Sequence, residues 1–135
     1  MKVVTGPGEY VRRANALEEI GHYVKEFGET ALVIGGQTAL TVAMPKIIKS
    51  LESNQLPLLE SIPFSGECSW SEINRLVDLV LAKKPDVLVG AGGGKALDTV
   101  KAVAFATKLP IIAVPTIAAT CAAATPISIL YDDEG

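Results

Sequence analysis

The sequence predicts an α/β fold with a mostly parallel sheet and helices on both of its faces. Residues 31–34, 87–89 and 111–114 are short Val/Ile/Leu/Ala runs that read as buried strands, and stretches of helical period separate them. Such alternation implies parallel strands joined by crossover helices. A third observation puts a site on that fold. The run 87–89 leads into Gly90-Ala91-Gly92-Gly93-Gly94-Lys95, and a helical pattern opens at once.

Taken in order, Val3-Val4 reads as a weak first strand before a turn at Gly6-Pro7-Gly8. Asn15 is placed to cap a helix over 16–27, with Leu17, Ile20, Val24 and Phe27 on one face and Gly28 at its end. The strand 31–34 closes on Gly35-Gly36. A second helix is expected over 38–51, with Pro45 a dent or break in it. Residues 58–64 read as a strand near a sheet edge, because Pro63 interrupts them. Ser69-Trp70-Ser71-Glu72 has the form of a capping box for a helix to Lys84, with Ile73, Leu76, Val77 and Val80 as its apolar stripe. Lys83-Lys84 suit the negative end of its dipole. The glycine turn, a helix over 95–107 and the strand 111–114 follow. Residues 115–126 are rich in small side chains, 127–131 alternate as a strand, and Asp132-Asp133-Glu134-Gly135 reads as an acidic turn in mid-architecture.

The glycine segment is suited to a diphosphate. The first amides of a helix have no partner within it and lie at its positive end. Phosphate can reach them where Cβ atoms are missing, and Lys95 adds a charge alongside. The segment is not a Walker A loop, since Val89 and Ala96 stand where that motif needs Gly and Ser or Thr. It is not the standard dinucleotide fingerprint either, because Lys95 takes the place of the third glycine. A tight turn without a ligand is the plainer alternative. Three loops would meet at the carboxyl ends of the strands: 35–38, 90–95 and 114–121. One could serve the adenosine end of a dinucleotide, one the diphosphate and one the nicotinamide.

Composition narrows the rest. The 135 residues are 49% hydrophobic and 20% charged, enough for one domain with a core over 1–135. Net charge is −3 with no basic stripe, so nucleic acid is not an expected partner. No apolar run has membrane-spanning length and the start has no signal-peptide core, so a cytoplasmic protein away from membranes is expected. Cys68 and Cys121 lack metal-ligand spacing, and His22 is the sole histidine, expected at the surface or in a groove.

At Gly92-Gly93-Gly94-Lys95-Ala96-Leu97-Asp98-Thr99-Val100-Lys101-Ala102, Pro115-Thr116-Ile117-Ala118-Ala119-Thr120 and Ser128-Ile129-Leu130-Tyr131-Asp132-Asp133-Glu134-Gly135 the sequence resembles the iron-containing (group III) alcohol dehydrogenase superfamily, in its glycerol-dehydrogenase-like branch. Phe64-Ser65-Gly66-Glu67-Cys68-Ser69 resembles the family segment ahead of the third helix. The resemblance covers essentially the whole chain. It implies a Rossmann-like, dehydroquinate-synthase-like N-terminal domain that binds NAD(P). It also implies a C-terminal helical domain, absent from this chain, that supplies the ligands of zinc or iron. No catalytic or metal-binding residue is then expected here, and the chain alone should be inactive. Exposure of the missing domain's docking surface by itself makes self-association, and so a homo-oligomer, the expected state.

By the same resemblance Gly94, Lys95 and Asp98, with Gly92 and Gly93, lie at the diphosphate and its helix. Thr116 and Ala119 line the cofactor path, and Thr125, Ile127 and Tyr131 match contacts to the nicotinamide half. Asp98 could instead be a first-turn carboxylate serving its own helix, and Tyr131 a core aromatic. Two departures bear on specificity. Gly36 stands where glycerol dehydrogenases carry an Asp on the adenosine ribose, which removes repulsion against a 2′-phosphate and favours NADP(H). Cys121 stands at the substrate-contacting Asp, so a 2-oxo acid fits better than glycerol, as in hydroxycarboxylate dehydrogenases. The implied reaction is hydride transfer between nicotinamide and a small alcohol, polyol or 2-hydroxy acid. The alternative is a stand-alone nucleotide-binding or interaction module.

Overall fold

The computed structural model describes residues 8–11, 16–115 and 127–130. Its elements run β1 (Gly8–Val11), a 3-10 turn (Ala16–Glu19), α1 (Ile20–Phe27), β2 (Ala31–Gly35), α2 (Gln37–Ser53), β3 (Leu58–Pro63), α3 (Trp70–Lys83), β4 (Val87–Gly92), α4 (Gly94–Thr107), β5 (Ile111–Pro115) and β6 (Ile127–Leu130). The described strands form one sheet in the order β1-β6-β5-β4-β2-β3. β3, β2, β4 and β5 are mutually parallel, while β6 pairs antiparallel with both β5 and β1. The α/β expectation holds, and β3 is an edge strand, as Pro63 suggested.

Helices cover both faces because the central strands are apolar on both. On one side Val33, Val89, Ile112 and Val114 pack under α1 and α2, through Ile20, Val24, Ala43, Ile47 and Leu51. On the other, Leu32, Ile34, Leu88 and Ile111 pack under α3 and α4, through Ile73, Leu76, Val80, Val100 and Val103. Each such fully buried aliphatic side chain contributes on the order of 1.5–3 kcal/mol. Ser50 joins the first layer by accepting the Gly21 amide at 2.8 Å, where Gly21 lets α1 approach the α2 backbone. At the amino-terminal end of the sheet, Asp86 accepts the amides of Glu29 (2.8 Å) and Thr30 (3.2 Å). Those amides, Glu29 first, hold its carboxyl below the ordinary range.

Several local expectations are corrected. Gly8, read as part of a turn, begins β1, whose antiparallel partner β6 lies more than a hundred residues on. Val3-Val4 and Asn15 lie outside the described residues. The first α-helix starts at Ile20, after a 3-10 turn, with no side-chain cap. Pro45 does not break α2, which runs through it to Ser53. The capping box is half made. Ser69 Oγ accepts the Glu72 amide at 3.2 Å, but the Glu72 carboxylate turns to Ser65 and Arg75. Lys84 is the left-handed cap of α3 rather than a helical residue. The largest correction concerns Gly90 and Gly92, which belong to β4 and not to the turn.

Candidate functional site

The strand order reverses between β2 and β4. From β2 the chain moves outward to β3 by way of α2 on one face; from β4 it moves the other way to β5 by way of α4 on the opposite face. Ligands of open α/β sheets sit in the crevice that opens at this point, beyond the carboxyl ends of the strands.

Close packing brings the two turns together there. The Gly36 amide donates to the Ala91 carbonyl at 3.2 Å. A Cβ on Gly35 would stand 2.6 Å from that carbonyl oxygen, and one on Gly90 would stand 3.0 Å from Val100 on α4. Gly92 has φ +145, and its Cβ would lie 2.8 Å from Ala96 Cβ. Gly35, Gly90 and Gly92 are therefore packing glycines: Gly35 fits against the β4 backbone and Leu40 of α2, and Gly90 and Gly92 seat α4 against the sheet. Gly36, Gly93 and Gly94 differ: a Cβ at any of them would meet nothing within 4 Å. No atom of the described fold requires glycine at those three positions.

These three stand at the starts of the two helices. Gly36 is the N-cap of α2 and Gly93 the N-cap of α4, and neither makes a side-chain capping bond. The first amides of each helix, including those of Gly94 and Lys95, have no acceptor within their own helix. Two positive helix ends thus begin at glycines where, among the described residues, nothing lies within 4 Å of an added Cβ, which suits an anion. Lys95, the second residue of α4, extends its Nζ to Glu67 Oε2 at 3.4 Å. Glu67 belongs to the loop between β3 and α3.

That loop is fixed by a group the sequence reading took only as a cap. The Glu72 carboxylate is buried, accepting Arg75 Nε on one oxygen and Arg75 Nη2 on the other, each at 2.8 Å. It also accepts the Ser65 amide at 2.8 Å, while Arg75 Nη2 donates to the Pro63 carbonyl at 3.2 Å. The Arg75 guanidinium, against the opposing cost of burial and with help from the Ser65 amide, lowers the Glu72 pKa from 4.5 to about 2. The spacing of Glu72 and Arg75 on one helix was the available signal; nothing local indicated the loop they hold.

Of the expected site residues, Gly36, Gly92, Gly93, Gly94 and Lys95 are brought together at the crevice. Gly92 takes part through packing. Asp98 is exposed and is the fifth residue of α4, beyond its first turn, so it does not serve the helix end as a first-turn carboxylate. Ile127 opens β6, whose register sets Ser128 opposite Ala113, so Ile127 stands at the crevice edge of the sheet. Thr116, Ala119, Cys121, Thr125 and Tyr131 lie outside the described residues, and with them the third loop. His22 is exposed on α1. Among the described residues no group of three or more His, Cys, Asp and Glu could hold a metal ion, and no helix is long and apolar enough to cross a membrane.

Comparison with known proteins decides the family. The model of the iron-containing alcohol dehydrogenases matches residues 7–135. The chain belongs to the iron-containing alcohol dehydrogenase family. Among curated relatives of this family member, a glycerol dehydrogenase of Pseudomonas putida is 42% identical over 134 residues, covering 99% of this chain and 36% of that protein. Hydroxycarboxylate dehydrogenase A of Escherichia coli is 38% identical over 139 aligned residues, covering all of this chain and 36% of that protein. The solved structure of a probable glycerol dehydrogenase from Sinorhizobium meliloti superposes with a TM-score of 0.71 at 34% identity, over 90% of this chain and 32% of the other. The chain thus spans about a third of the length of the relatives it matches.

Proposed function

We propose that this dehydrogenase-family chain is a nucleotide-binding domain, residues 1–135, of a cytoplasmic dehydrogenase, and that it holds NAD(P) with the diphosphate over Gly93, Gly94 and Lys95. The observation that carries this reading is the open space at Gly36, Gly93 and Gly94. Packing among the described residues explains the neighbouring glycines but not these, and a diphosphate would fill what a Cβ would block. When bound, the nicotinamide supplies hydride transfer to and from a small alcohol, polyol or 2-hydroxy acid.

The chain's own residues bind and orient. Helix-start amides and Lys95 receive the diphosphate charge. Gly36, at the end of β2, leaves the ribose end of the crevice without a carboxylate, which favours NADP(H) over NAD(H). Thr116, Ala119, Thr125, Ile127 and Tyr131 are proposed along the path to the nicotinamide, with Asp98 on the diphosphate helix and Cys121 at the substrate, where an uncharged side chain suits a 2-oxo acid. The metal in the family's name finds no donor set among the described residues. A longer protein would supply its ligands, and a homo-oligomer is proposed for that protein.

Titration of the chain with NADPH and with NADH, followed by nicotinamide fluorescence, tests the proposal. Saturable binding, tighter for NADPH, is expected. Absence of binding by either would overturn the domain reading; a preference for NADH would overturn the role given to Gly36.

A further inference from the structure

The Glu67–Lys95 pair is held in place by more than its own contact. Phe64 donates its amide to the Gly35 carbonyl at 2.7 Å, immediately before the Gly36 turn. Ser65 is tied to Glu72, and Pro63 to Arg75. At the far end of the loop, Ser69 accepts the Glu72 amide on its side chain and the Ile73 amide on its carbonyl. Only Gly66, Glu67 and Cys68 remain between these anchors. Gly66 has φ +110, and its Cβ would meet nothing, so glycine there serves the backbone turn that presents Glu67. The Glu72 carboxylate is committed to Arg75 and Ser65, which leaves Glu67, among the described residues, as the acid on Lys95.

We infer that Glu67 is a competitor that weakens diphosphate binding in the proposed nucleotide crevice: it holds Lys95, and a diphosphate must take Lys95 from it. This rests on the diphosphate reading above. A carboxylate competes with an incoming anion for one ammonium, and a group with two negative charges displaces it more readily than one with a single charge. Both partners are largely exposed, at 69% and 75%, so the contest is weak and salt-screened. The anchored loop keeps it local to the crevice mouth.

The test is NADPH affinity of the chain, wild type against Glu67→Gln, at about 0.01 M and about 1 M salt. At low salt Glu67→Gln should bind about two- to five-fold more tightly. The gain should vanish at high salt, and also when both proteins carry Lys95→Gln. Unchanged or weaker binding by Glu67→Gln at low salt overturns the inference, as does an equal gain in the Lys95→Gln background. The two readings fail differently. Wild type that binds neither NADPH nor NADH removes the crevice reading and this one with it; wild type that binds while Glu67→Gln is indistinguishable from it removes only the role of Glu67.

Discussion

Replacing Gly93 by alanine separates the two kinds of glycine at the crevice. Gly93 has φ −85 and ψ −167, an extended backbone open to any residue, and a Cβ there meets nothing within 4 Å. Such a substitution restricts the unfolded chain, which stabilises by about 0.4–1 kcal/mol, but puts the poorly capping alanine at the N-cap of α4, which costs a similar amount. The same methyl would stand where diphosphate oxygens approach the helix-start amides. Loss of at least about tenfold in NADPH affinity, or about 1.4 kcal/mol, is expected. Gly92→Ala is the contrast. Its φ of +145 and the 2.8 Å approach to Ala96 Cβ make it strained, at a cost of about 1–3 kcal/mol. Urea unfolding followed by circular dichroism gives the stabilities, and nicotinamide fluorescence gives the affinities. Gly93→Ala should lie within about 1 kcal/mol of wild type in stability, and be poor at binding. If it binds NADPH as wild type does, the diphosphate is not at this turn. If it loses more than about 2 kcal/mol of stability, as the strained Gly92→Ala can, the space is not open.

Three other outcomes follow from the same geometry. The pKa of Glu72 in the folded chain is about 2, below its unfolded value of 4.5, so its stabilisation is fully present above about pH 4.5 and is lost as pH falls toward 2. Urea midpoints from about pH 6 downward should show wild type losing about 2 kcal/mol more than Glu72→Gln; parallel profiles would remove the buried ion pair from the account. Asp86→Ala, at the opposite end of the sheet, should cost about 1 kcal/mol by leaving the Glu29 and Thr30 amides without their acceptor, with NADPH affinity unchanged. Gly36→Asp should shift the ratio of NADPH to NADH affinity toward NADH by about tenfold while leaving the fold intact, since the position is open and Asp is a good N-cap. An unchanged ratio would place the ribose elsewhere.

The alternation of elements was legible because its signals are local. The runs 31–34 and 111–114 lack polar residues, and α3 carries its stripe and its Ser69 cap in consecutive sequence. β4 was read too short because glycine signals a turn, whereas Gly90 is a strand residue whose missing side chain admits Val100. β1 was missed for a related reason. Gly8 follows Pro7, a turn signal, and the strand depends on a partner distant in sequence. At the site, the glycines and Lys95 could be named from the motif. Sequence could not divide them into those that pack and those that face open space. Nor could it show that Glu67, 28 residues before Lys95, meets it, or that Glu72 holds the loop which makes the meeting possible.

The most direct test is amide chemical-shift mapping of the isotopically labelled chain during NADPH addition. The largest changes should fall on Gly36, Gly93, Gly94 and Lys95, with the Glu29–Thr30 end of the sheet unmoved. Changes concentrated away from the β2–α2 and β4–α4 turns would contradict the claim that the open glycines of these two helix starts receive the diphosphate.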